Sequence, residues 1–161
     1  VLLGDVSGNW SAVGGQVLSA QAAAPVTLTV VGGPVGPSGL VTAILWLDAP
    51  GVPVYSLDLA LAYSPTAASA IAVQAGPLAG GLMSGANLGR PGQVLLAMAG
   101  ATPISGSGEL ARITFQMATP SAGSMPLMLS RGDVNEGQIP AQLIPGRLGG
   151  ARLYLPLVMR Q

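Results

Sequence analysis

The chain has 161 residues; half are hydrophobic, only 7% are charged, and six Arg balance six carboxylates to a formal net charge of zero. It contains no His, no Cys and no Lys, so it cannot form a disulfide, a Cys/His metal site, a Ser–His–Asp triad or a Schiff-base lysine. A neutral chain without Lys also lacks the basic surface that binds nucleic acid.

Glycine and proline, with 24 and 14 residues, divide the sequence into short apolar segments. Because disordered chains lack residues to bury, the high apolar content favours strands separated by turns. The apolar run Leu40–Leu47 is much shorter than the ~20 residues that cross a bilayer, so no transmembrane span is expected. The composition therefore predicts an all-β fold, a β-sandwich or barrel.

The predicted elements begin after residues 1–25, an N-terminal zone that ends in a small-residue stretch before a proline. A first strand is predicted at about 26–31 and a turn over 32–39. A second, more buried strand follows at Leu40–Leu47, which Asp48–Gly51 closes as a turn. Trp46 lies near the end of this apolar run and is predicted to anchor the core.

The clearest alternation of large and small side chains lies between residues 55 and 63, where Pro65 then ends the strand. Such a strict period of two describes a strand with one face in the core. The residues expected in this core are Tyr55, Leu57, Leu59, Leu61 and Tyr63, together with Ile113, Phe115 and Met117 from a later strand.

The second half of the chain is predicted to continue as strands and loops, without a helix of ten residues. Ala67–Val73 fits either a helical turn or a strand. Residues 76–92 form a loop with room for one short strand, and 100–108 form a turn region. Further strands are predicted at Val94–Ala99, Leu110–Met117, Met125–Leu129 and Ile139–Leu143.

Three local patterns, in this order, resemble the cohesin family. Leu57–Pro65 is similar to the family's alternating strand that ends in a Tyr-x-Pro turn, with Ser64 where the family usually has Asp. Gly108–Met117 is similar to its Gly-x-Leu-Ala-x-Ile-x-Phe-x-Val strand. Asp133–Pro140, followed by Pro145–Leu148, resembles its late Asn-x-Gly-x-Ile hairpin and closing strand.

The resemblance covers about residues 26–150 and implies a two-sheet, jelly-roll-like sandwich of about nine strands. Cohesins are extracellular modules that bind dockerins without catalysis, so the resemblance also implies a binding role. The chain is then divided into an N-terminal extension at 1–25, the cohesin-like sandwich at 26–150, and an apolar C-terminal tail at 151–161.

A second resemblance lies in the N-terminal extension, where Gly4–Asn9 resembles the start of a dockerin calcium loop. Asp5, Ser7 and Asn9 place oxygen ligands at alternate positions, as an EF-hand-type loop requires. Trp10 stands where the loop needs Gly, and the twelfth position lacks a carboxylate. The segment is therefore a weak calcium candidate, with an ordinary Asp/Asn turn as the alternative. No calcium is expected to be essential to the sandwich itself.

Three functional classes remain open. The first is a protein–protein interaction module, as a self-assembling subunit of a fibre or surface layer or as a scaffold unit that binds a separate dockerin-like partner. The second is a carbohydrate-binding module, which an exposed row of Trp or Tyr would favour. The third is a hydrolase, which the missing His and the few carboxylates disfavour.

Apolar segments at both ends of the chain are the predicted assembly elements. The N-terminal segment 1–24 is expected to dock head to tail on the sandwich of the next copy, with the C-terminal run as the alternative donor and folding back on the same domain as the other outcome. The chain begins without a Met or a basic leader, which is expected of a processed or trimmed product. The cohesin resemblance implies a secreted protein that is extracellular or on the cell surface. The assembly residues are Val1, Leu2, Leu3, Trp10, Leu153, Tyr154, Leu155, Leu157 and Val158.

Overall fold

The structure, a computed structural model, describes residues 26–119 and 123–149. These residues form eight strands and a short 3-10 helix, and no α-helix, so the all-β prediction is confirmed. The strands are β1 Val26–Gly32, β2 Leu40–Ala62, β3 Ala68–Ala75, β4 Met83–Asn87, β5 Gln93–Met117, β6 Met125–Val134, β7 Ala141–Ile144 and β8 Gly146–Leu148, with the 3-10 helix at Pro77–Gly81.

The two longest strands, β2 and β5, each belong to both layers of the sandwich. The first half of β2, Leu40–Ala49, pairs with β1 and with the second half of β5, Gly106–Gln116. Its second half, Ser56–Ala62, pairs with the first half of β5, Gln93–Ala99, and with β6. Register shifts at Ala49/Val54 and Val54/Ser56 mark the crossing, where extra residues bend the paired strands into the other sheet.

We call the two layers the first sheet and the second sheet. The first sheet has the order β3–β5–β2–β1–β7, using the second half of β5 and the first half of β2. The second sheet has the order β4–β5–β2–β6–β8, using the other halves. All pairings are antiparallel except that of β1 with β7.

The core lies between the two sheets and is formed by alternate side chains of each strand. Phe115 is fully buried, and Tyr63 meets it edge-on with 5.2 Å between ring centroids. The Tyr63 hydroxyl accepts a hydrogen bond from the Ala70 N–H at 3.3 Å, so this partly buried side chain ties β2 to β3. Burial confirms the prediction for Leu57, Leu59, Leu61, Ile113, Phe115 and Met117.

Two predicted core residues are instead exposed. Trp46 is 42% exposed because it belongs to the outward series of β2, while its neighbours Leu45 and Leu47 point inward. Tyr55 is 46% exposed because it lies within the register shift between Val54 and Ser56, where the alternation is interrupted. The prediction for these two residues was wrong.

Two predicted turns are also wrong, because both stretches continue as strand. Asp48–Gly51 and residues 100–108 face each other at the crossing, and Ala49 pairs with Gly106 while Val54 pairs with Ile104. The ambiguous stretch at Ala67–Val73 is strand β3, and the predicted loop at 76–92 contains the 3-10 helix and β4.

Strand β8 closes one side of the sandwich against the end of β1. Gly32 and Gly146 allow this approach, since a Cβ atom on either would overlap the carbonyl oxygen of Arg147 or Val30, respectively. The Gly149 N–H then donates a hydrogen bond to the Gly33 carbonyl oxygen at 3.1 Å. Gly149 therefore lies beside the C-terminal end of β1.

Candidate binding face

The outer face of the second sheet forms a shallow groove over β4, β5 and β2. Its floor consists of small outward residues, Ser56, Gly85, Ala97 and Ala99, grouped around Asp58. Two adjoining depressions share Asp58, Gly85 and Ala97 and together make one continuous surface. We call this surface the groove.

The groove is shallow because β4 and β5 contribute small side chains at paired positions. Gly85 pairs with Ala97, so no side chain larger than a methyl group rises from this part of the floor. Met83 pairs with Ala99 at one end and is 83% exposed. Strand β4 is exposed along its whole length and carries no charge, which leaves an accessible sheet edge beside the groove.

Charged side chains lie at the centre of the groove and along its β6 side. Asp58 pairs across the sheet with Asp133, whose Oδ2 atom accepts a hydrogen bond from Arg131 Nε at 2.6 Å. This hydrogen bond and the charge of Asp133 raise the pKa of Arg131. Glu136 lines the end of the groove that Met83 and Ala99 also form. Three carboxylates against one guanidinium leave this surface net negative.

Asn135 positions the turn that carries Glu136. Its Oδ1 atom accepts hydrogen bonds from the N–H groups of Tyr55 at 2.7 Å and Ser56 at 3.2 Å, and its Nδ2 atom donates to the Pro53 carbonyl oxygen at 2.9 Å. The backbone of Asn135, Glu136 and Gly137 is left-handed, with φ of 49°, 59° and 78°. Asn135 therefore fastens the turn after β6 to the crossing of β2.

The sequence did not predict the groove or the role of Asn135. The groove depends on the absence of large side chains from strands that are far apart in the sequence. The one available signal for Asn135 was the Asn-x-Gly pattern, since Asn and Gly are the residues that most readily adopt positive φ.

The residues that were predicted as sites lie outside the described residues. This applies to the calcium candidates Asp5, Ser7 and Asn9 and to the terminal assembly residues. The calcium site and the assembly elements therefore stay predictions. Within residues 26–119 and 123–149, no group of three or more acidic side chains could hold a metal ion. In the same ranges, no helix is long and apolar enough to cross a membrane. The assembly residues outside the described ranges are Val1, Leu2, Leu3, Trp10, Leu153, Tyr154, Leu155, Leu157 and Val158.

Two long strands shared between five-membered sheets form a β-sandwich, and its likeness to solved structures shows that the fold is of the cohesin type. No family model matches the chain, and no curated protein matches it. Solved structures do match, at sequence identities that establish the fold alone.

A non-cellulosomal cohesin from the archaeon Archaeoglobus fulgidus shares 20% identity, covers 78% of this chain and 90% of its own, and has a TM-score of 0.66. The seventh ScaB type I cohesin of Pseudobacteroides cellulosolvens shares 19% identity over 80% of this chain and 96% of its own, with a TM-score of 0.63. A third similar structure is part of a type I cohesin–dockerin complex from Clostridium thermocellum. It shares 16% identity over 79% of this chain and 94% of its own, with a TM-score of 0.66. The predicted cohesin-like domain is therefore confirmed as a fold.

Proposed function

We propose that this chain is a non-catalytic protein–protein interaction module that binds its partner in the groove. The observation that carries the proposal is the floor of small side chains at Ser56, Gly85, Ala97 and Ala99. Such a floor lets the backbone of a partner approach the sheet closely, while the charged groups in the groove and beside it fix orientation and exclude unsuitable partners.

The proposed partner is a dockerin or dockerin-like segment with basic side chains. The cohesin-type fold supports a dockerin, because one solved neighbour was crystallised in a complex with its dockerin. The charge of the groove supports basic side chains, because Asp58 and Glu136 form no ion pair among the described residues. Arg or Lys on the partner would complement these carboxylates.

Titration calorimetry of the full chain against a panel of type I dockerins tests this proposal. Ala97→Arg places a long charged side chain on the groove floor and is expected to abolish binding. Ser69→Arg adds the same charge at an exposed position of β3 in the first sheet and should leave binding unchanged. Binding that survives Ala97→Arg, or failure of every dockerin to bind, would contradict the proposal.

We further propose that copies of the chain assemble head to tail through the N-terminal segment 1–24, as a fibre or surface layer outside the cell. The dockerin-like residues of this segment, ahead of a cohesin-type domain, support a donor and an acceptor in one polypeptide. A heterologous contact of this kind gives a filament when it does not close. The low charge of the chain also reduces repulsion between copies.

Size-exclusion chromatography and electron microscopy test the assembly. Deleting residues 1–24 should leave a folded monomer, whereas the full chain should form filaments. A truncated chain that still polymerises, or a full chain that is monomeric at high concentration, would contradict this proposal.

Carbohydrate binding finds less support, because the exposed aromatic residues of the described ranges do not form a row. Trp46 lies on a sheet face and Tyr55 lies at the crossing.

A further inference from the structure

The outer face of the first sheet, away from the groove, carries an apolar patch centred on Trp46. Thr29 pairs with Trp46 on one side and with Ile144 on the other, and Val31 pairs with Ile44 one row further along. Trp46 is 42% and Ile144 37% exposed. We call this patch of Val31, Ile44, Trp46 and Ile144 the Trp46 face.

Strand β8 and Gly149 reach the end of β1 from the core side of the first sheet, because Gly32 continues the inward series of β1 and a Cβ atom there would overlap the Arg147 carbonyl oxygen. Gly149 is hydrogen-bonded to Gly33, which follows Thr29 by four residues along the chain. Four strand residues span ~13 Å and one strand spacing adds ~5 Å across the sheet. Passing around the end of the sheet to its outer face adds ~10 Å. Extended chain advances ~3.3 Å per residue, so the residues that follow Gly149 reach Trp46 at about position 155.

The segment around this position is strongly apolar. We propose that Leu153–Met159 packs on the Trp46 face of its own chain. Leu153, Leu155 and Leu157 alternate along it and would present one apolar side, as a strand or extended segment does on a sheet surface. Attachment to the same chain gives this segment a high effective concentration at the face, so a modest contact area is sufficient to hold it.

Charge also favours this occupant. Asp48 lies two residues beyond Trp46 on the same face, and its carboxylate accepts a hydrogen bond from Ser107 but forms no ion pair among the described residues. Arg152 and Arg160 flank the apolar run, and no carboxylate side chain follows Gly149. Glu109 and Arg112, which pair across the sheet with Trp46 and Ile44, neutralise each other in an ion pair. The face therefore carries the negative charge of Asp48, opposite to the net charge of the segment.

This inference does not rest on the proposed groove, which lies on the opposite outer face. It assigns the C-terminal apolar run to its own chain, so the N-terminal segment remains as the donor for assembly. Loss of dockerin binding and loss of this contact are separate results, because the two readouts come from different sheets.

Tryptophan fluorescence tests the contact in the full chain. The chain has two tryptophans, so Trp10→Phe leaves Trp46 as the sole reporter. In this background we expect Trp46 to be shielded from acrylamide quenching. Leu155→Asp combined with Leu157→Asp should shift its emission to longer wavelength and increase quenching. Gln138→Asp adds a carboxylate at an exposed position of the turn after β6, away from this face, and should change neither.

A synthetic peptide of residues 150–161, added to the double Asp variant, should restore the original emission. Replacing Trp46 by Thr should weaken peptide binding by about tenfold or more, as truncation of a central aromatic anchor does, measured by anisotropy of a labelled peptide. Tyr55→Thr, which removes the other exposed aromatic side chain of β2, should leave this affinity unchanged.

Three results would overturn the inference. The first is free quenching of Trp46 in the Trp10→Phe chain, which needs no change to the tail. The second is a shift to longer wavelength on dilution, which would mean that another copy supplies the segment. The third is recovery of the original emission in the double variant by a soluble β-glucan and not by the peptide, which would make the face a sugar-binding surface.

Discussion

Replacing Asn135 by Ala should destabilise the sandwich more than its position in a surface turn would indicate. The side chain forms three hydrogen bonds to Pro53, Tyr55 and Ser56, which are about eighty residues away in the sequence and form the crossing of β2. Ala also has to adopt the left-handed backbone that Asn135 occupies at φ 49°.

The expected loss follows from these two effects. Each hydrogen bond contributes about 0.5–1.5 kcal/mol, with the lower values applying to the more exposed ones. A left-handed backbone costs Ala about 1–2 kcal/mol. Together they predict a decrease of roughly 3–4 kcal/mol in the free energy of unfolding. For a domain of this size, that corresponds to a melting temperature about 10 °C lower.

Two further substitutions separate the contributions. Asn135→Gly removes the three hydrogen bonds but tolerates positive φ, so it should be more stable than Asn135→Ala by about 1 kcal/mol. Asn135→Asp retains the acceptor atoms but loses the donor to the Pro53 carbonyl, and it should therefore lie between the wild type and Ala.

Urea unfolding followed by circular dichroism measures these differences. Gln138→Ala is the matched control, because Gln138 is exposed in the same turn and only its backbone N–H forms a hydrogen bond there. Ordinary surface substitutions change the free energy of unfolding by about 0.5 kcal/mol or less. If the value for Asn135→Ala lies that close to the wild type, Asn135 does not fasten the turn after β6 to the crossing of β2.

Three further predictions concern the groove, the core and the metal requirement. Asp58→Asn removes a carboxylate from the centre of the groove, so dockerin affinity should fall severalfold and should depend less on ionic strength. If calorimetry shows an unchanged salt dependence, charge complementarity at this position is excluded. Tyr63→Phe keeps the edge-on contact with Phe115 but loses the bond from the Ala70 N–H, which should lower the unfolding free energy by about 1 kcal/mol in urea titrations; no loss would show that this bond adds nothing. Chelation by EDTA should leave the melting temperature of the sandwich unchanged, because residues 26–119 and 123–149 contain no acidic cluster for a metal; a decrease of many degrees would contradict this.

The sequence predicted those parts of the fold in which one strand face is buried and the other is polar. Leu57, Leu59 and Leu61 are separated by small or polar residues, and burial of one face makes this alternation visible. Trp46 was misplaced because the outer face of the first sheet is itself partly apolar. In a run that is hydrophobic on both faces, periodicity alone cannot identify the inner face.

The candidate site could not be predicted in the same way. Residues 100–108 contain Gly, Pro and Ser and have the composition of a turn, but pairing with residues 49–54 keeps them in a strand. The groove depends on Gly85 and Ala97, and their importance lies in the side chains they lack. Only the pairing of β4 with β5 shows that these two residues meet.

The strands shared by the two sheets also determine how the sandwich folds. The pairing of β2 with β5 joins Leu40 to Gln116 in one sheet and Ala62 to Gln93 in the other. Neither sheet can form without the two strands that the other also requires, so both should appear in a single cooperative and comparatively slow step. In hydrogen exchange, amides of β2 and β5 should open only with global unfolding, while those of the edge strand β4 exchange through local fluctuations.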